Sequence, residues 1–398
     1  MTRQTLNHDS PWLLALLATL VALGPLSVDM YLPAMPAMQA AFDTGVGKMH
    51  LTLSAYLAGF AIFHLVCGPL ADRFGRKPIL LLGTVIFVMA CIGCSRSTTI
   101  NELLWFRFLQ GVGACVGPTL ARAIVRDIFG PTKAAKALSL IAMLMALAPA
   151  VAPTLGGAML LFLPWSSIFL FLAAYGALSM VLVQRYLAES LPQKQSLHPV
   201  AVASNYALLL KDPFYLLVTI SSALMYAALL TYLSSSAFVY ITVLAVPVEY
   251  FGFVFIAGVL GYIIGSGISA RLASRYMPEQ LTVLGTLLGL GATLIMWLAS
   301  VLYPLSIAAY MLPMVFFSIA LGLVLPNSMA VALRPFPQIA GTASALLGFI
   351  QMSISAISSA LVGLLLTNSA QPMVLTMVAI SALSLLLSVI MYTRYRRS

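Results

Sequence analysis

Residues 68–78 read G-P-L-A-D-R-F-G-R-K-P and stand between two apolar runs, near 48–70 and 78–97. Prolines and glycines punctuate the stretch, and its charges (Asp72, Arg73, Arg76, Lys77) have no place in hydrocarbon. The flanking runs have the length of about 20 residues that a helix needs to cross roughly 30 Å of lipid core. The segment therefore reads as a basic loop between two membrane helices, and the rest of the chain is read outward from it.

The composition agrees. Of 398 residues, 62% are hydrophobic and 8% charged, and the mean hydropathy is +1.04, whereas soluble domains carry about 25% charged residues. Apolar runs broken by charged or Pro/Gly turns predict helices at 12–37, 48–70, 78–97, 102–126, 135–162 and 166–187, then at 213–239, 249–271, 280–301, 304–332, 337–366 and 371–392. The first run has no small-x-small cleavage signal in the right place and is read as a retained helix.

Charge placement fixes the direction of these twelve spans. With the N-terminus inside, 17 of the 20 basic residues fall on or near the cytoplasmic side, and only Lys48, Arg96 and Arg107 do not. Removing one helix would send every later loop to the wrong side. Both termini are thus expected in the cytoplasm. The polar stretch 188–212 separates six spans at 1–187 from six at 213–398. Shifting the sequence by 198 superposes Asp72-Arg73 on Ala270-Arg271 and Lys77 on Arg275, which reads as a tandem repeat.

Several function classes are excluded. The net charge of +10 comes from basic residues scattered singly or in threes, so no nucleic-acid partner is expected. Cys67, Cys91, Cys94 and Cys115 all lie in apolar runs. The Cys91–Cys94 pair lacks the further ligands of a zinc site, so neither a metal nor a cofactor is expected. No G-x-x-x-x-G-K-[ST] loop exists to bind nucleotide phosphates, and no cluster of intramembrane nucleophiles suggests an enzyme. The remaining partners are the bilayer, a small molecule and an ion, and the chain is read as a monomer.

The loop at 68–78 resembles the signature of the major facilitator superfamily between its second and third helices. R-F-L-Q-G at 107–111 resembles a second family motif, and P-A-V-A-P-T-L-G-G at 149–157, with Pro149, Pro153, Gly156 and Gly157, resembles the motif of its antiporters. D-M-Y-L-P-A-M-P at 29–36 and A-R-A-I-V-R-D at 121–127 are similar to the drug:proton antiporters of the bicyclomycin-resistance (Bcr/CflA) subfamily. The resemblance implies an all-α membrane protein of two pseudo-symmetric six-helix bundles that rock about a central cavity. It implies export of small neutral or amphipathic compounds, such as bicyclomycin, phenicols or sulfonamides, in exchange for protons. Proton-coupled export or import of a small metabolite such as a nucleoside or amino acid fits the same residues.

Ionisable groups inside a membrane are costly and mark function by default. Asp29 in helix 1 and Arg107 in helix 4 lie at similar depth and form the candidate proton-coupling pair. Desolvation favours the protonated acid and a nearby guanidinium the carboxylate, so a helix movement that changes their spacing would move a proton. Two alternatives stand beside this: a permanent Asp29–Arg107 ion pair, and an Asp29 in the outer headgroup layer. Tyr31, Gln110, Arg122, Tyr226, Tyr232, Asn327 and Gln351 are the candidates for the substrate cavity, with Tyr240 a further polar position. Arg122 reads equally well as snorkelling to the interface, and His64 as a packing or a coupling residue. The second-half helix interiors carry no charge.

Gly68, Asp72, Arg73, Gly75, Arg76, Lys77 and Asp127 form a candidate gate latch. Arg76 has two acids within reach, Asp72 and Asp127, and the start of helix 11 after Pro335 and Pro337 would favour Asp72 through its dipole. Gly68 would allow the helices to approach closely. Pro149 and Pro153 predict a kinked helix 5, and the resemblance implies that it seals the interface between the halves.

Overall fold

The computed structural model describes residues 11–191, 199–366 and 369–395, with the backbone alone at 11, 129–146, 199, 201 and 395. Arg3, Lys194, Arg396 and Arg397, and the side chains of Lys133 and Lys136, lie outside the described residues. Every regular element described is helical: α1 Pro11–Asp29, α2 Met35–Ala41, α3 Val46–Phe74, α4 Arg76–Arg96, α5 Ile100–Ala114, α6 Val116–Leu160 and α7 Ser166–Tyr186. After the linker follow α8 Pro199–Lys211, α9 Pro213–Ala237, α10 Phe251–Leu272, α11 Pro278–Leu302, α12 Ile307–Leu333, α13 Ala340–Leu365 and α14 Gln371–Tyr395. Among the described residues eleven helical segments are long and apolar enough to cross a membrane, and Leu147–Leu160 is a shorter apolar helix within the predicted fifth span.

Local chemistry sets several boundaries. Asp212 caps α9 by accepting from the Tyr215 amide at 2.6 Å, with Pro213 in the first turn where no N–H is needed. Thr99 and Glu102 form a reciprocal capping box on α5.

The structure corrects two boundaries. The predicted first helix, 12–37, is broken: α1 ends at Asp29, and a 3-10 turn at Leu32–Ala34 leads into α2. Pro33 has no amide hydrogen and disfavours helical backbone at Leu32, and Pro36 follows. The fourth span runs through Cys115, whose backbone stays helical, as one apolar segment, Ile100–Ile128. The linker is not featureless, because α8 occupies its second half and donates a Tyr206 hydroxyl to the Leu65 carbonyl at 2.8 Å. α6 is assigned as one helix, yet a Cβ on Gly117 would meet the Leu20 carbonyl and one on Gly156 the Met30 carbonyl. Those partners lie about 15 Å apart along helix 1, whereas a straight helix from 117 to 156 would extend about 58 Å. The chain must double back between them, as two antiparallel spans require.

The halves meet along two seams. α3 packs antiparallel on α13, with Gly47 against Gly363 at one end and His64 against Gly348 near the other. α6 packs on α10, with Gly252 against Thr154. The second span of each half thus meets the fifth of the other, the exchange expected of two similar halves related by an approximate two-fold axis. We call the end that carries Arg73, Arg76, Arg271, Arg275 and Arg334 the basic end, and the opposite one the far end. The 3-10 turn at Leu32–Ala34 reaches α9 at the far end.

Candidate functional site

The break in helix 1 builds the centre of the site. Where the helix stops, the Ser27 carbonyl accepts from Arg107 Nη1 at 3.0 Å, and one turn earlier the Gly24 carbonyl accepts from the Tyr56 hydroxyl at 3.2 Å. A cation is favoured there, because the last carbonyls of a helix carry partial negative charge. Gly111, the glycine of R-F-L-Q-G, lets α5 press its backbone onto α3 at Tyr56. That contact sets the Arg107 guanidinium between two rings, its Cζ 4.1 Å from the Tyr31 centroid and 4.7 Å from that of Tyr56. Gln110 accepts from Nη1 at 2.5 Å and donates to Cys91 Sγ at 3.1 Å. Arg107 is fully buried, and its Nε and Nη2 have no hydrogen-bond partner.

Asp29 is the last residue of α1 and is buried, with Oδ1 lacking any partner. One alternative to coupling differs from what is seen in this conformation: Asp29 makes no ion pair with Arg107, which uses the helix carbonyl instead, and its side chain is enclosed by protein. An unpaired buried carboxylate is costly, and the C-terminal end of α1 adds repulsion. Tyr226 of α9 stands within electrostatic reach, the one second-half side chain among the candidates that approaches Asp29.

The remaining cavity candidates divide. Tyr31 forms a wall of the Arg107 box. Tyr232 is buried and shares a 2.7 Å hydrogen bond with Tyr240, and Asn327 donates to Ser269 and to the Leu323 carbonyl, both at 2.7 Å. Gln351 reaches Ser222 at 3.1 Å. Asn327 and Gln351 thus tie different helices of the second half together, whereas the Tyr232–Tyr240 bond lies within one span. Arg122 is exposed although its neighbours Ala121, Ala123, Ile124 and Val125 are buried. It lies one turn along the helix face whose Thr119 meets His64 at the seam with α13, so it faces the space between the halves. His64 stacks on Phe60 and lies 3.1 Å from the Thr119 hydroxyl, the arrangement of a packing residue at the seam.

At the basic end, Arg76 meets both expected acids: Nη1 is 2.6 Å from Asp72 and Nε 3.1 Å from Asp127. Sequence reasoning missed Glu189, at the start of the linker, whose carboxylate accepts from the Arg76 and Lys77 amides at 2.9 and 3.2 Å and so caps α4. Lys77 in turn donates to the carbonyls of Gln184 and Leu187 at the end of α7. Gly75 has φ +109°, and a Cβ there would lie 2.5 Å from Glu189. Arg73 projects over Phe74. Two expectations are not met in this conformation: Asp72 is bonded within its own half and not to the start of α13, and a Cβ on Gly68 would meet nothing within 4 Å.

The second half carries a counterpart that sequence reasoning also missed. Glu279, in the first turn of the ninth span, is fully buried and lies 2.5 Å from Arg334 at the end of the tenth. In the first half the base begins the third span and the acid ends the fourth. The signs are exchanged, which hid the correspondence from a search for repeated basic positions.

In the antiporter-like stretch, Pro149 and Pro153 lie in α6 and Thr154 Oγ1 bonds back to the Ala150 carbonyl at 3.0 Å. The two glycines face different partners. Gly156 lies against the Met30 carbonyl at the break in helix 1, whereas a Cβ on Gly157 would lie 2.6 Å from the Val248 carbonyl of the second half.

Comparison with known proteins agrees with this geometry. Residues 17–360 match the family model described as Major Facilitator Superfamily. The chain is 30% identical over 374 residues to the bicyclomycin resistance protein homolog of Haemophilus influenzae, covering 93% of each. It is 31% identical over 386 residues to the multidrug resistance protein MdtL of Vibrio parahaemolyticus, covering 92% of each. Among solved structures, a bacterial homolog of the human lysosomal transporter Spinster superposes with a TM-score of 0.75 at 16% identity, covering 95% of this chain and 96% of that one. The xylose transporter XylE from E. coli superposes with a TM-score of 0.73 at 14% identity, covering 96% and 97%.

Proposed function

The chain belongs to the major facilitator superfamily, and from that premise we propose that it exports small organic compounds across a bacterial inner membrane in exchange for protons. Relatives named for multidrug and bicyclomycin resistance support the efflux reading. The observation that carries the coupling is Asp29: a buried carboxyl, unpaired, at the broken end of helix 1. In this conformation Asp29 holds the proton. When the halves rock, Asp29 is brought to water or to Arg107, either of which stabilises the carboxylate, and the proton leaves.

The basic end is the cytoplasmic one by the positive-inside rule, which puts both termini inside. The two moving bodies are 1–187 and 213–398, joined by the linker 188–212, and one chain is the transporting unit. Asp72, Arg76, Asp127 and Glu189 hold the cytoplasmic corner of the first body. Gly156 and Gly157 seal the far end.

The test is proton release from purified protein in weakly buffered detergent when candidate compounds are added. Release of protons on binding, abolished in Asp29→Asn, is the expected result. Binding of compounds without any proton release removes the coupling and leaves a carrier of another kind.

A further inference from the structure

Counting charges in the sequence pointed to a neutral substrate, because the second-half spans contain none. The structure places charge in the cavity from the other side. Cys115, Thr119, Arg122 and Arg126 follow one another at intervals of three and four residues and so share one face of α6. Arg122 and Arg126 are both exposed, and Thr119 on the same face meets His64 at the seam with the second half, so this face looks into the space between the halves. Arg122 Nε donates to the Pro118 carbonyl at 2.9 Å, which holds the side chain along the helix and uses one of five donors.

The acids near this end are already engaged. Asp72 and Asp127 are bonded to Arg76, Glu189 caps α4, Asp212 caps α9, and Glu279 is bonded to Arg334. Of the other described acids, Glu102 caps α5, Asp29 is buried at the break in helix 1, and Asp43 and Glu249 flank far-end helices. Among the described residues, the space that Arg122 faces therefore holds positive charge with no free acid to balance it.

We propose that the cavity selects organic anions, or compounds that present a carboxylate, sulfonyl or similar acceptor group, and rejects lipophilic cations. This rests on the exporter reading and adds the substrate class to it. Arg122 is the primary contact, its planar fork suited to a carboxylate or sulfonate. Arg126, one turn toward the basic end, attracts the same charge on entry.

The test compares carboxyfluorescein with rhodamine 6G, dyes of one ring system and opposite charge, bound to the purified protein in uncharged detergent and followed by fluorescence anisotropy. The expected result is at least tenfold tighter binding of the anion, weakened as salt is raised. Arg122→Gln should weaken it by about tenfold or more, and Arg122→Lys should do so less. The preference of the unaltered protein is read first, so a variant that does not fold leaves the inference testable. Equal or tighter binding of the cation, or no binding of the anion, overturns it. So does competitive displacement of the anion by phosphatidylglycerol, which would assign the arginines to a lipid headgroup. Efflux in proteoliposomes is scored separately: an anion that binds but is not exported retains the substrate class and removes the exporter reading.

Discussion

Arg107 donates to the main-chain carbonyl of Ser27, two residues before Asp29, and leaves the Asp29 carboxyl unpaired. The two charged groups at the centre of the first half are therefore independent in this conformation. The cation is neutralised by a helix end and two tyrosine rings, and the acid by nothing charged. A site built this way can change its protonation without dismantling the packing around Arg107.

Asp29→Asn is therefore expected to keep the fold and lose only proton-driven transport. Asparagine has the shape of the protonated acid and cannot release a proton. Efflux driven by an imposed pH gradient in proteoliposomes should fall to background, while exchange of labelled for unlabelled substrate without a gradient persists. Survival of gradient-driven efflux would falsify the assignment of Asp29.

Arg107→Lys should damage the protein although charge is conserved. The guanidinium bonds Ser27 and Gln110 through one nitrogen while its plane lies over Tyr31. A lysine ammonium is a compact point charge that cannot serve both acceptors and stack as well. A loss of about 1–3 kcal/mol is expected, read as a lowered unfolding midpoint in detergent. A midpoint equal to the parent's would mean that the carbonyl contact contributes nothing.

How much of this was legible can be argued from a few residues. The partners of Arg76 were readable, because Asp72 is one helical turn away and Asp127 ends a neighbouring predicted span. The succession of long apolar helices was readable from apolar length. The break at Asp29 left a sign in Pro33 and Pro36, but hydropathy runs smoothly through 30–37 and masked it. The Ser27 carbonyl left none, since backbone acceptors have no letter in the sequence. Glu189 and Glu279 were visible as acids, yet their partners are set by packing between helices far apart in the chain. Arg122 stayed ambiguous because a snorkelling and a cavity-facing arginine look alike until the neighbours' burial is known.

The two glycines of the basic loop should behave differently. Gly75→Ala forces an unfavourable φ and sets a methyl against Glu189, so a loss of about 1–3 kcal/mol is expected. Gly68→Ala meets open space in this conformation and should leave the unfolding midpoint unchanged. If the latch closes Gly68 onto the second half during transport, the same variant slows efflux, as should Asp72→Asn with membrane insertion intact. Full transport by both would remove the latch.

Arg334→Gln leaves the fully buried Glu279 without its cation. Breaking one side of a fully buried pair costs about 3–5 kcal/mol, and because Arg334 is half exposed a smaller loss is expected here, whereas neutralising both sides costs less still. The double variant Glu279→Gln with Arg334→Gln is thus expected to unfold at a higher temperature than Arg334→Gln alone. The reverse order would show that the pair is not energetically coupled.

Gly156 and Gly157 are adjacent, but their substitutions should fail in different ways. Gly156 faces the Met30 carbonyl within its own half, so Gly156→Ala pushes α6 off the broken segment beside Asp29. It is expected to lower both stability and coupled transport. Gly157 faces the Val248 carbonyl across the seam. A methyl there leaves each half intact and wedges the far end apart, so Gly157→Ala should fold normally and leak. Proton entry into substrate-free proteoliposomes, followed with a trapped pH dye, reads this directly. A leak above the parent's with an unchanged unfolding midpoint is the expected outcome for Gly157→Ala. A tight Gly157→Ala would move the far-end seal away from this stretch and leave it as helix packing alone.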